Sequence, residues 1–101
     1  MVERIIENEK KFDEVISVVN NLELSLNNFE NIKDFINDLN KYYGSKEWFM
    51  DKESLETGRI SNVKSGILSE DGFWNIYIDI KELAKRMKKI SNKILDNNKN
   101  I

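Results

Sequence analysis

From Ile5 to Tyr43 the apolar residues fall in steps of three and four: Ile5, Phe12, Val15, Val19, Leu22, Leu26, Phe29, Ile32, Ile36, Leu39 and Tyr43, with Asn8 in the one polar slot. Only an α-helix lines up positions spaced in this way, so this seam constrains the fold more than any other stretch. One step departs from the alternation: Phe29 to Ile32 adds a second three, a stammer that overwinds a heptad seam locally. The alternative is a break at Asn27-Asn28, whose short amides compete for backbone hydrogen bonds. Because the seam stays in phase across them, one continuous helix over residues 1–43 is favoured, about 60 Å long at the standard rise.

The chain has no proline, and its four glycines stand at 44, 58, 66 and 72, so the strong breakers are confined to the middle third. Gly44 suits a helix C-terminus and Ser45 the N-cap of the next element. Residues 45–56, with Trp48, Phe49 and Leu55, read as a short helix, and 57–68 as a loop. Ser69 reads as the N-cap of a terminal helix over 69–96, with Glu70 and Asp71 in its first turn where carboxylates suit the helix dipole. Its seam is Phe73, Ile76, Ile80, Leu83, Met87, Ile90 and Ile94, widened by Trp74, Tyr77 and Ile78; the tail 97–101 is expected to fray.

The expected fold is therefore all-α and a single domain: a helical hairpin in which the terminal helix returns antiparallel and the two seams face each other. One hairpin buries too little to offset the entropy of ordering 101 residues. The sequence thus predicts a homodimer that completes a bundle.

Neither Cys nor His is present. That excludes thiol nucleophiles, disulfides, histidine acid–base catalysis and Cys/His zinc sites. No glycine-rich phosphate loop, serine nucleophile motif or dinucleotide fingerprint occurs, so the chain is expected to be no enzyme and to hold no cofactor or metal. The N-terminus lacks a signal-peptide pattern and no run approaches the roughly 20 apolar residues of a membrane span, so a cytoplasmic protein without membrane contact is expected. Asn, Lys and Ile fill 40 of the 101 positions, the mark of an AT-rich, bacterial or mobile-element genome.

Residues 1–44 carry five basic and nine acidic side chains, residues 73–101 seven basic and three acidic. The basic band of the terminal helix (Lys85, Arg86, Lys89 and Lys93, with Lys81 and Lys88) could meet an anionic partner such as nucleic acid. Pairing with the acidic first helix, within or between subunits, weighs more heavily, since the whole chain is net −2. In the middle third, Asp51, Glu53, Glu56, Glu70 and Asp71 admit a hard-cation site. The plainer reading weighs more: Glu70 and Asp71 serve the helix start, and Asp51 or Glu53 pairs with Arg59. The aromatics are expected to be corner packing for the most part. Where exposed, Tyr43, Trp48 and Trp74 rimmed by Asp51, Arg59, Glu70 and Asp71 have the composition of a protein-binding hot spot.

Three stretches carry a family likeness: Tyr42-Tyr43-Gly44-Ser45-Lys46-Glu47-Trp48 with Asp51 behind it, Lys64-Ser65-Gly66-Ile67-Leu68-Ser69-Glu70-Asp71, and Leu83-Ala84-Lys85-Arg86-Met87. In order and spacing the chain resembles the bacterial domain-of-unknown-function family 4298. The resemblance implies a small, mostly helical protein without an established activity, so no catalytic residue carries over. It also leads one to expect a proline after Gly58, where this chain has Ile60-Ser61-Asn62. The expected function is a helical protein–protein interaction module. Small size, high charge and the lack of catalytic groups also permit a mobile-element inhibitor of a host defence complex.

Overall fold

The computed structural model describes residues 1–96; the tail expected to fray lies outside them. The chain is all-α, with α1 at Val2–Tyr42, α2 at Lys46–Glu56, a single 3-10 turn at Gly66–Leu68 and α3 at Gly72–Leu95. No strand occurs among the described residues, and no helix there is long and apolar enough to cross a membrane. The chain divides into two compact units, 1–38 and 39–101.

The first unit is a stretch of helix and nothing else. It runs unbroken through Asn27-Asn28, as the phase of the seam requires. Asn8, the polar interruption of that seam, donates from Nδ2 to the Arg4 carbonyl at 2.8 Å and so turns back onto its own helix. The Lys11–Glu7 pair at 3.7 Å is exposed at both ends, which makes it worth at most a few tenths of a kcal/mol. No residue of α1 is buried, so this unit has no core of its own. The burial expected for the seam is not found: Phe12, Val15, Val19 and Leu22 all stand open to solvent.

The second unit contains the core. Gly44, at φ +76°, ends α1 in the left-handed conformation that glycine adopts without steric cost. Ser45 then caps α2, its hydroxyl accepting from the Trp48 amide at 3.2 Å. At the far end the Thr57 hydroxyl donates to the Glu53 carbonyl at 2.8 Å, and Gly58, at φ +77°, turns the chain away.

The terminal helix starts later than Ser69. The 3-10 turn takes the Ser69 amide onto the Gly66 carbonyl at 3.2 Å. The Ser69 hydroxyl donates to that carbonyl at 2.9 Å and accepts from the Gly72 amide at 3.0 Å. Ser69 thus ties the turn to the first amide of α3, and Asp71 becomes an N-cap with no side-chain hydrogen bond. Gly72 is needed for this closeness, since a Cβ there would stand 2.8 Å from the Gly66 carbonyl oxygen. In the preceding loop Asn62 sits at φ +60°, a value closed to proline, whose ring holds φ near −65°. Among the described residues three side chains are buried, Trp48, Leu68 and Phe73. Beyond Phe73 the apolar stripe of α3 is open at Ile76, Leu83, Ile90 and Ile94.

Candidate functional site

The residues with most to offer a ligand gather where Gly44 and the 3-10 turn bring three elements together. Trp48 is the pivot. At 4% exposure it is the most buried side chain of the three-residue core. Its indole nitrogen donates to the Ile67 carbonyl at 2.8 Å, which satisfies the one polar group that burial of tryptophan leaves at risk. The Tyr43 ring meets it edge-on at 5.2 Å between centroids and the Phe49 ring at 4.9 Å. Phe73 closes the cluster 5.5 Å from Tyr43. Such edge contacts contribute roughly 0.5–1.5 kcal/mol each beyond area burial.

Around this floor the polar groups are already engaged. The Tyr43 hydroxyl donates to the Glu70 carbonyl oxygen. The Lys52 ammonium lies 5.2 Å over the Trp48 ring, 3.0 Å from the Glu70 carboxylate and 3.9 Å from Glu56. A shallow hollow of about 310 Å³ results, lined by Tyr43, Gly44, Trp48, Phe49, Lys52 and Glu70.

The Tyr42 hydroxyl donates to Asp51 Oδ2 at 2.5 Å. That hydrogen bond above all, then burial and the negative charges of Asp51 and Glu47, push the phenol up from 10.0 to about 12. The proton is held more tightly in the folded chain than in the unfolded one. Its contribution to stability is therefore complete below pH 10.0 and lost as pH rises towards about 12. In thermal melts across that window, the stability advantage of wild type over Tyr42→Phe should shrink steadily. A constant difference would show that the bond to Asp51 does not govern the phenol.

Of the residues named from sequence, the structure joins Tyr43, Trp48 and Glu70 directly. Asp51 is bound to Tyr42 instead of Arg59. The expected pairing of Arg59 with Asp51 or Glu53 does not form, and Arg59 has no ionic partner among the described residues. It lies beyond the Gly58 turn, and the cation that serves the cluster is Lys52, on α2 itself. Asp71 is exposed at the start of α3, and Trp74 is 52% exposed without joining the aromatic contacts. Sequence reasoning passed over Phe49 as a surface residue, although it is 60% exposed. It also passed over Lys52. The only local signal for Lys52 was its i+4 spacing from Trp48 and to Glu56.

No group of three carboxylates comes together among the described residues, so the cluster expected as an alternative cation site is dispersed. In the basic band, Lys85 pairs with Glu82 of its own helix at 3.3 Å, while Lys81 lies 5.0 Å over the Tyr77 ring. Arg86, Lys89 and Lys93 are exposed.

No curated protein and no solved structure matches the chain. The profile of one family, described as a domain of unknown function (DUF4298), matches residues 5–90. That span holds the first seam, the second as far as Ile90 and the whole aromatic corner, well beyond the three short stretches that carry the likeness, and a match over so much of the sequence makes this chain a member of the DUF4298 family.

Proposed function

We propose that the chain is a non-enzymatic helical module that binds another protein through the corner of residues 42–78. What supports the reading is the hollow beside Phe49, an open aromatic ring standing on a floor already fixed by ring contacts and hydrogen bonds. An aromatic anchor rimmed by a charge pair, here Lys52 and Glu70, is the usual make-up of a binding hot spot. A floor ordered before binding avoids the entropy cost of ordering it on contact. The carboxylates nearby are dispersed or engaged with Tyr42 and Lys52, which suits recognition better than acid–base chemistry.

The test is a nuclease-treated pull-down from a low-GC bacterial lysate with tagged wild type, Phe49→Ala and Lys52→Glu, each checked for helicity by circular dichroism. Recovery of a stoichiometric partner should fall by roughly tenfold or more in both variants. Equal recovery by wild type and both variants would move binding away from the corner, and partners lost on nuclease treatment would point to nucleic acid.

A further inference from the structure

Two open apolar faces remain, the seam of α1 and the stripe of α3, and the charges along their edges are complementary. On α1 the residues that directly follow alternate seam positions are Glu9, Ile16, Glu23 and Glu30; on α3 those that directly precede them are Asp79, Arg86 and Lys93. In two helices that share a heptad seam, these two kinds of edge meet only when the helices run parallel. Antiparallel helices would instead bring Arg4 and Lys11 to the edge that carries Arg86 and Lys93. One parallel register stands out. With Ile80 level with Phe12, Met87 with Val19 and Ile94 with Leu26, Arg86 faces Glu23, Lys93 faces Glu30 and Asp79 faces the uncharged Ile16. Sliding by one heptad in either direction sets Asp79 against Glu9 or against Glu23.

We propose that the chain pairs with a second copy of itself in this register, α3 of each copy lying parallel to the N-terminal half of the other's α1. In this register Phe73 of one copy stands level with Ile5 of the other. An exchange in which each copy gives its α3 and receives the other's is reciprocal about a two-fold axis, so assembly closes at two copies. Glu23, Glu30, Arg86 and Lys93 are all exposed and have no ionic partner among the described residues. The self-pairing uses neither Phe49 nor Lys52, so it stands or falls apart from the binding proposed for the corner.

The experiment is sedimentation equilibrium at low salt on wild type, on Glu23→Lys/Glu30→Lys, on Arg86→Glu/Lys93→Glu, and on an equimolar mixture of the two variants. Wild type should run at twice the 11.9 kDa chain mass. Each variant alone should dissociate roughly tenfold more readily or worse. The mixture should recover the wild-type constant, because each variant keeps the helix that complements the other's changed one. A wild-type monomer across the micromolar range, undiminished pairing by either variant, or a mixture no better than its parts would overturn the proposal. If a variant loses helicity, single substitutions Leu22→Cys and Ile90→Cys replace it. Mixed and oxidised, they should form the crossed disulfide ahead of either self-linked product, and a statistical product distribution would equally overturn the register.

Discussion

Trp48→Ala should lower the stability of the chain by about 3–5 kcal/mol, the usual cost of truncating a buried tryptophan. The effect should sit at or above the top of that range, because little else can compensate. Trp48 is one of three side chains buried among the described residues, and removing the indole strips a ring from the contacts of both Tyr43 and Phe49. It leaves the Ile67 carbonyl without its donor and takes away the surface under the Lys52 ammonium. Trp48→Phe separates these contributions: it keeps most of the ring but unpairs the carbonyl, a loss of about 1–3 kcal/mol. Urea titrations read by Trp74, the remaining tryptophan, give both numbers. A change below about 1 kcal/mol for Trp48→Ala would mean that the corner is held by something other than this side chain.

The same residue marks where the sequence stops being readable. Local signals placed the ends of α1 and α2 well, because Gly44 and Ser45 act within one turn of the chain and need no distant partner. The continuity of α1 was legible for a similar reason, since the phase of a seam is a local property. The start of α3 was not. Ser69 followed by Glu70 and Asp71 has the composition of a helix start, yet the serine serves a 3-10 turn whose Ile67 carbonyl is taken by Trp48, nineteen residues back. Leu68 is buried in the same turn, and a contact between α2 and this turn overrides a cap preference worth about 1 kcal/mol. Arg59 misled in the same way. Opposite charges nearby in sequence suggested a pair with Asp51, but the Tyr42 hydroxyl reaches that carboxylate across the Gly44 turn. Trp48 itself was named as a contact residue, and its burial gives it a structural place while Phe49 beside it takes the exposed one. The seams were plain from spacing alone; spacing does not say what covers them.

What covers the α1 seam is answered most sharply by comparing Leu22→Asp with Leu24→Asp. In the single chain the two leucines are nearly equivalent, at 53% and 61% exposure, on the same uninterrupted helix. A helix that stayed bare would therefore respond alike to both changes, within about 0.5 kcal/mol, since aspartate brings the same loss of helix propensity at either site. They differ only in direction, as two residues turn the helix by about 200°. Leu22 lies on the seam, level with Ile90 of a second copy in the parallel register, whereas Leu24 lies on the opposite side. Leu22→Asp should thus bury an unpaired carboxylate twice in every dimer, at roughly 2 kcal/mol or more each. At micromolar concentration its melting temperature should fall by about 10 °C or more and cease to rise with protein concentration. Leu24→Asp should melt like wild type and keep the concentration dependence. Equal and small effects at both positions would mean that the seam faces water in solution as well, and its three–four spacing would then need a reason other than self-pairing.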